Sequence, residues 1–179
     1  MTQKIYHIKA VIGLGNPGPK FHMTRHNIGF LVLDALCDRY HGNWQARENM
    51  EQASITLDNH PLILIKPQTF MNTSGAVIPF LTKQGIKPEN ILVIHDELEL
   101  PFGKMRIKHG GSARGHNGLR SIIERCGADF PRLSFGIGRP EQKEMVGDYV
   151  LQNFSEKKME LEDKINAAVS MIEDVVRGS

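Results

Sequence analysis

The sequence predicts a single α/β domain over residues 1–179, built on a mixed, largely parallel twisted sheet flanked by helices. Short apolar runs bounded by turn residues alternate along the chain with segments whose apolar residues recur at helical spacing. A hairpin-like pair of runs at 51–57 and 61–66 adds antiparallel pairing to that sheet. The length of 179 residues and the 40% apolar content are sufficient for a sizeable core and argue against disorder.

The individual elements follow from these two patterns. Apolar runs of strand length occur at 8–14, 51–57, 61–66, 91–95, 104–108 and 132–137. Helical spacing of apolar residues predicts helices at 30–40, 75–84, 119–126 and 161–175. Pro79 weakens the second of these helices, because proline interrupts helical hydrogen bonding. Ser155 is the expected N-cap of the last helix, and Gly178 lies beyond its end.

The first strand leads into the loop Gly13-Leu14-Gly15-Asn16-Pro17-Gly18, which fits the glycine spacing of a dinucleotide-binding loop. That motif needs a helix to open at the third glycine, but Pro19 disfavours the helical region for Gly18. The acidic partner expected about twenty positions further on would be Asp34 or Asp38. Both fall inside a predicted helix rather than at a strand end. The pattern therefore favours a functional loop over a nucleotide site.

The net charge of +2 conceals an uneven distribution along the chain. Residues 101–140 hold eight basic and two acidic side chains, a net charge of +6, whereas residues 141–179 hold nine acidic and five basic side chains, a net charge of −4. A basic segment beside motif-bearing loops is typical of a surface that binds a polyanion such as nucleic acid. A solvated charged face is the alternative that the sequence leaves open.

Three features predict a cytoplasmic protein. No apolar run approaches the length of a membrane span, and residues 1–7 lack the basic-then-apolar pattern of a signal peptide. Cys37 and Cys126 each fall on the apolar face of a predicted helix. We expect both to be free buried thiols, as is usual in a reducing compartment.

Polar side chains cluster at the ends of predicted elements. The clusters are Asn16 with His26, Phe70-Met71-Asn72, His95-Asp96-Glu97 and Gly115-His116-Asn117-Gly118. Because the carboxyl ends of parallel strands meet at one edge of a sheet, we expect the clusters to converge there. Imidazoles, a carboxylate and amides suit a general base, its orienting partner and donors to an oxyanion. Two simpler roles stay open: Asn16 as a turn former before Pro17, and Asp96 as a cap of a neighbouring loop.

Two other chemistries lack their usual signals. Ser112 fails as a nucleophile elbow because Arg114 stands where that motif needs glycine, and neither cysteine adjoins a histidine. None of the eight histidines pairs with another at HxH or HExxH spacing. The sequence therefore predicts acid–base chemistry without a covalent nucleophile, a metal or a cofactor.

Five motifs lie between residues 13 and 119. They are GLGNPG at 13–18, TRHNIGF at 24–30, KPQTFMNTSG at 66–75, HDEL at 95–98 and GHNGL at 115–119. Together they resemble the motifs of the bacterial peptidyl-tRNA hydrolase family, in that family's order and at its spacing. Five matched segments make the resemblance highly specific.

The resemblance implies a monomeric α/β hydrolase that cleaves the ester between a peptide and the terminal ribose of tRNA, which frees stalled tRNA during translation. It implies that His26 is the general base that activates water and that Asp96 orients and charges its imidazole. The acceptor arm and 3′ end of peptidyl-tRNA would be the partner, with no metal or cofactor. The residues implied in substrate binding are Asn16, Phe21, Met71, Asn72, His116 and Asn117.

Three positions depart from the family's pattern. Phe21 stands where tyrosine is common, so one hydroxyl near the base is absent. Arg114 occupies a usual glycine and adds charge to a loop beside the cleft. Ser134 replaces a basic residue of a clamp for the tRNA 5′ phosphate, so another arginine would have to complete that clamp. The expected phosphate contacts are Lys108, which matches the other half of the clamp, and Arg106 and Arg132 as candidate substitutes.

A non-catalytic RNA-binding relative is the main alternative, because the same fold is reused in intron-splicing factors of plastids. A catalytically inactive copy could lose the pair of His26 and Asp96. Both residues are present in this chain, which favours the enzyme.

Overall fold

The computed structural model describes residues 4–178, which form a seven-stranded sheet with helices on both faces. The strands are β1 (Ala10–Gly13), β2 (Gln45–Arg47), β3 (Met50–Leu57), β4 (His60–Pro67), β5 (Ile91–Glu97), β6 (Met105–His109) and β7 (Pro131–Gly136). The α-helices are α1 (Ile28–Arg39), α2 (Ile78–Thr82), α3 (Asn117–Cys126), α4 (Val146–Val150) and α5 (Lys158–Arg177). Short 3-10 helices occur at Pro19–Phe21, Arg25–Asn27, Met71–Val77, Pro88–Asn90 and Lys143–Met145.

The sheet has the order β2-β3-β4-β1-β5-β7-β6 and combines both kinds of pairing. β1 is parallel to β4 and to β5, and β5 is parallel to β7. The antiparallel pairs β2–β3, β3–β4 and β6–β7 lie on either side of this parallel centre. The predicted mixed α/β fold and the hairpin from 51–57 and 61–66 are confirmed. The parallel centre brings the carboxyl ends of β1 and β5 together at one edge of the sheet.

Both faces of the parallel strands are buried, because helices cover each face. Along β1, Val11 contributes to a core shared with α1 and α5. Its neighbours Ala10 and Ile12 contribute to a second core, shared with α2 and α3. This alternation is the two-residue period of a strand, and it explains why the strand sequence is apolar throughout. No helix in residues 4–178 combines the length and apolar character needed to cross a bilayer.

Two elements differ from the sequence prediction. β2 is absent from it because all three residues of this strand are exposed and carry no apolar pattern. The segment 75–84 is not one helix: the 3-10 helix Met71–Val77 precedes the short helix α2. Pro79 lies in the first turn of α2, where its missing N–H would have no helical partner in any case.

The prediction that Ser155 caps the last helix is wrong. The N-cap of α5 is Lys157, and its C-cap is Gly178. Ser155 instead accepts a hydrogen bond through its Oγ from Arg25 Nη2 at 3.4 Å. A tertiary contact therefore uses the hydroxyl that the local pattern assigns to the helix end.

Two glycines allow α1 to lie against the end of β1. A Cβ added at Gly29 would lie 2.3 Å from the backbone nitrogen of Leu14, and one added at Gly13 would lie 2.3 Å from the Gly29 carbonyl oxygen. Backbone atoms therefore occupy the space that any side chain would need. This close approach fixes the start of α1, and with it the preceding turn Arg25–Asn27, against the sheet.

We expect Gly29→Ala to lower the free energy of unfolding by about 3 kcal/mol, because the added methyl group must displace backbone. Urea unfolding of purified protein measures the loss. Gly147→Ala in α4 is the matched control, since a Cβ there has no heavy atom within 4 Å. We expect that control to be neutral or to stabilise by about 0.5–1 kcal/mol. Equal midpoints for Gly29→Ala and the wild type would contradict the close approach.

Candidate active site

Side chains from three elements meet at the carboxyl ends of β1 and β5. His26 lies in the 3-10 turn that follows the first loop, Asp96 lies near the end of β5, and His116 is the residue directly before α3. All three line a cleft of about 340 Å³. The structure thus brings together two imidazoles and a carboxylate that are far apart in sequence.

His26 and Asp96 form the central pair of the site. Nδ1 of His26 lies 2.9 Å from Oδ1 and 3.0 Å from Oδ2 of Asp96. An ionised carboxylate can only accept hydrogen bonds, so Nδ1 carries the proton and Nε2 keeps its lone pair. The side chain of Asp96 is only 2% exposed, and that of His26 is 12% exposed. The pair therefore supplies an imidazole whose tautomer is fixed for accepting a proton at Nε2.

The two groups shift each other's pKa. Burial opposes protonation of His26, but the negative charge of Asp96 and the hydrogen bond to it outweigh burial, and the pKa of His26 is raised. Burial would raise the pKa of Asp96, yet the charges and hydrogen bonds of His26 and His116 hold it well below its usual range. Asp96 therefore stays ionised wherever His26 titrates.

His116 is held from both sides of its ring. Its Nδ1 accepts hydrogen bonds from the backbone N–H groups of Gly118 and Leu119, at 3.1 and 3.3 Å, and so caps the first turn of α3. Because Nδ1 accepts, the proton of the neutral ring lies at Nε2, which donates to Asp96 Oδ1 at 2.8 Å. Neither nitrogen of His116 is then available as a general base.

The same three residues have the composition of a metal site. One donor atom from each of His26, Asp96 and His116 can be chosen so that all lie within 4.8 Å of one another. For His116 Nε2 to bind a cation, however, its ring would have to lose its only proton, because Nδ1 already accepts from two amides. An imidazolate is far less accessible than a neutral imidazole ligand. The hydrogen bonds therefore favour a site for proton transfer over a metal centre.

The other predicted substrate residues divide between the cleft and its flank. Asn117 is exposed and lines the cleft. Asn16, Phe21, Met71 and Asn72 are not among the cleft-lining residues. The two groups adjoin at α3, where the sulfur of Met71 occupies space beside Gly118.

Asn16 is both a loop anchor and a source of a free amide. Its Oδ1 accepts from the backbone N–H of Met71 at 2.7 Å. Its backbone N–H donates to Asn27 Oδ1, and Asn27 Nδ2 donates to the Asn16 carbonyl, both at 2.9 Å. Within residues 4–178, Nδ2 of Asn16 has no hydrogen-bond partner. The turn-forming role and the substrate-binding role are therefore compatible in one residue.

Two aromatic rings belong to the chain segments that Asn16 connects. Phe21 lies edge-to-face against Phe70 at 6.4 Å between ring centroids, and Phe70 is 62% exposed. Asn72, two residues further along the chain, is also exposed. The flank of the site thus presents an apolar ring and an amide to solvent.

Comparison with known proteins identifies the family. Residues 10–179 match the family model described as peptidyl-tRNA hydrolase. The chain belongs to the peptidyl-tRNA hydrolase family. Proteins of that name from Persephonella marina and Fervidobacterium nodosum are 47% and 45% identical to it. These alignments cover 88% and 93% of this chain, and 85% and 88% of the respective relatives.

Solved structures agree with the sequence comparison. The crystal structure of peptidyl-tRNA hydrolase from Acinetobacter baumannii has a TM-score of 0.87 and 35% identity, covering 99% of this chain and 92% of that chain. Purine nucleoside phosphorylase from Toxoplasma gondii, with a TM-score of 0.56 and 10% identity, shares the fold alone. The resemblance inferred from the five motifs is confirmed, and the alternative of a non-catalytic RNA-binding relative is not favoured.

Cationic side chains form one wall of the cleft in this member of the peptidyl-tRNA hydrolase family. Arg114, at the position where the family's pattern has glycine, has a φ of 48°, a left-handed conformation that glycine adopts most easily. Two carboxylates also line the cleft: Asp96, which is already paired with two imidazoles, and Glu97. The cationic residues that line the cleft are Arg106, Lys108, Arg114, Arg132, Arg139 and Lys143.

Arg132 differs from the other cations of this wall because it is 3% exposed. Its Nη1 donates to the Ser112 carbonyl at 3.2 Å, and its Nη2 donates to the carbonyls of Gly111 and Ala128 at 2.7 and 3.1 Å. Main-chain acceptors thus occupy both terminal nitrogens of the guanidinium, whereas its buried Nε has no partner among residues 4–178. Arg132 holds the loop that precedes His116.

Two further residues that support the site have no distinct signal in the sequence. Arg25 is buried, and its Nη1 donates to the backbone carbonyl of Tyr149 at 3.0 Å. Its guanidinium carbon lies 3.9 Å from the centroid of the Tyr149 ring. Asn27 locks the first loop through Asn16. Both belong to the motif TRHN at 24–27, but nothing in that run indicates that the charged residue is buried and the histidine is not.

We expect Asp96→Asn to lower the pKa of His26, because the charge that raises it is removed. His26 must be unprotonated to act as a base, so activity falls as pH drops through its pKa. In the wild type the raised pKa of His26 moves this loss to higher pH than for an unperturbed imidazole, and in Asp96→Asn the acid limb of the rate profile should move to lower pH. The plateau rate should fall as well, because an amide does not stabilise the imidazolium. An unchanged acid limb would contradict the pairing.

Proposed function

We propose that this chain hydrolyses the ester of peptidyl-tRNA with His26 as general base and Asp96 as its orienting partner. The family supplies the reaction class, a carboxylic ester hydrolysis that releases tRNA and peptide in translation. The residue roles rest on one observation, the contact of His26 Nδ1 with the Asp96 carboxylate. It leaves Nε2 with the lone pair that activation of water requires.

In the first step, Nε2 of His26 takes a proton from water while the water oxygen bonds to the ester carbonyl carbon. The carbonyl π electrons move to its oxygen and give a tetrahedral oxyanion. As the C=O bond re-forms, the bond to the ribose oxygen breaks. The imidazolium then returns its proton to that oxygen, and Asp96 stabilises the imidazolium between the two transfers.

We propose that amide side chains hold the reacting ester. Asn16 contributes its Nδ2, and the exposed amides of Asn72 and Asn117 lie on the flank and in the cleft respectively. One such donor aimed at a developing oxyanion is worth about 3 kcal/mol in other hydrolases. Met71, whose backbone N–H binds Asn16, and Phe21, in the 3-10 turn that follows the loop of Asn16, would contact the same end of the substrate.

We propose that the cationic wall binds the acceptor arm, with Lys108 and Arg106 as phosphate contacts. The position of Lys108 supports this role, since this residue lines the cleft and its Nζ lies beside Gly111, in the loop between β6 and α3. Arg132, by contrast, has its guanidinium bound to backbone carbonyls, so we assign it to the shape of the loop. We further propose that residues 1–179 act as one domain and as a monomer in the cytoplasm, with residues 1–3 and 179 lying outside the described residues.

We expect His26→Ala to lower kcat by about 10²- to 10⁴-fold, the usual contribution of a general base. The assay incubates the variant with N-acetyl-aminoacyl-tRNA and follows the release of free tRNA. Melting temperature and RNA binding should stay close to wild type. His22→Ala is the matched control, because His22 is an exposed histidine outside the cleft. If His26→Ala retained most of the wild-type rate, the base would have to be another group.

We expect Lys108→Ala to weaken tRNA binding and to reduce its salt dependence. Each lost phosphate contact should flatten the slope of log K against log salt concentration by about 0.7–0.9. A small ester substrate without the tRNA body should be cleaved at the same rate by variant and wild type. Lys9→Ala, an exposed lysine outside the cleft, is the control and should leave the slope unchanged. An unchanged slope for Lys108→Ala would place the tRNA body elsewhere.

A further inference from the structure

Ser134 and His95 form a buried pair directly behind the carboxylate of the site. We propose that this pair is a positioning device, in which the Ser134 hydroxyl fixes the His95 ring and the ring fixes the main chain of Asp96. This inference rests on the proposed roles of His26 and Asp96. It gives a role to Ser134, the residue that stands where the resemblance led us to expect a basic side chain.

The sheet places the two residues side by side. His95 in β5 and Ser134 in β7 are partners in the parallel register, and both are nearly fully buried, at 4% and 3% exposure. Both also line the cleft. The next residue of β5 is Asp96, so any shift of His95 is transmitted to the catalytic carboxylate through one peptide unit.

The hydrogen bonds fix the direction of this support. His95 Nδ1 lies 2.9 Å from the backbone carbonyl oxygen of Asp96, which can only accept, so Nδ1 carries the ring proton. Nε2 is then an acceptor, and the Ser134 hydroxyl donates to it at 3.1 Å. The Asp96 carbonyl thus fixes the tautomer of His95, and the Ser134 hydroxyl holds the opposite side of the ring by donating to Nε2.

The ring of His95 supports Asp96 without adding charge. Burial, with electrostatic interactions with His116 and Arg132 that oppose a positive charge on the ring, lowers the pKa of His95 to about 3. The groups that face it are His116, whose ring lies edge-to-face at 5.4 Å between centroids, Asp96 and Arg132. A neutral ring leaves the Asp96 carboxylate to its two imidazole donors.

A serine that donates to an imidazole has the geometry of a nucleophile and its base. Two observations argue for support instead. The Ser134 hydroxyl is buried, and the imidazole that it faces is far too weak a base to take its proton near neutral pH. The pair therefore contributes to position, and a covalent role becomes one of the outcomes that the experiment separates.

The test compares Ser134→Ala with Ser134→Thr, which keeps the hydroxyl. NMR titration of the His26 ring reports its pKa without any substrate, and steady-state hydrolysis of N-acetyl-aminoacyl-tRNA reports kcat and KM separately. For Ser134→Ala we expect a lower pKa of His26, a fall in kcat of about five-fold, the equivalent of one neutral hydrogen bond, and an unchanged KM. For Ser134→Thr we expect values near wild type.

Two additional variants complete the design. Tyr40→Phe also deletes a partly buried hydroxyl, here one that donates to Glu173, and Tyr40 does not line the cleft. It should leave the His26 pKa and kcat unchanged. If Ser134→Ala does not fold, Ser134→Cys replaces it, because the thiol keeps the volume but is a weak donor. It should show the same direction of change.

Three results would overturn the proposal. The first is a wild-type His26 pKa and kcat in Ser134→Ala. The second is a change in KM alone, which would make Ser134 a substrate contact. The third is labelling of Ser134 by a fluorophosphonate probe together with complete loss of activity in Ser134→Ala, which would make it a nucleophile. Because the titration needs no substrate, failure of this inference is distinguishable from failure of the proposed function.

Discussion

The organisation of the site depends on one buried negative charge. The Asp96 side chain is almost fully removed from water, and an isolated carboxylate in such a place would cost several kcal/mol. Two imidazole N–H groups offset that cost, one from the first loop and one from the start of α3. The same contacts dictate where the protons lie on His26 and His116. The hydrogen bonds that stabilise the buried Asp96 carboxylate therefore also fix the tautomer of His26 that can accept a proton at Nε2.

This constraint links elements that the parallel centre of the sheet has already brought to one edge. The loop after β1, the end of β5 and the N-terminus of α3 are all fixed by groups bound to a single carboxylate. The backbone amides of α3 extend the chain of contacts, since they determine that His116 donates to Asp96 rather than accepts. Displacement of any of these elements would change the electrostatics at His26.

Much of this arrangement could be predicted from the sequence. Apolar runs gave the six longer strands, and the placement of polar clusters at element ends gave the edge of the sheet at which His26 and Asp96 meet. Those signals are local, because they depend on the period of a strand and on where turns must fall. The three-residue strand β2 had no such signal, since its residues are exposed.

What the sequence could not supply depends on contacts between distant segments. Ser155 carries the local pattern of a helix cap, yet its hydroxyl is used by Arg25. The sequence places Arg132 in a basic segment, yet its terminal guanidinium nitrogens donate to three backbone carbonyls. The capping of α3 by a histidine side chain is equally invisible, because serine, threonine, aspartate and asparagine are the usual residues there. For Ser155 and Arg132 a tertiary partner overrides a local preference, whereas for His116 an unusual residue type takes the local role of a cap.

The buried side chain of Arg25 also has an evolutionary consequence. It joins the turn that carries His26 to the segment around Tyr149 and Gln152, and β-type hydrogen bonds between the two segments reinforce the connection. Residues in α4 form part of the cleft wall, so the shape of that wall and the position of His26 are coupled through Arg25. Substitutions near Tyr149 that exclude an inhibitor would disturb the base as well. Resistance arising in this wall is therefore constrained to changes that leave the anchor of Arg25 intact.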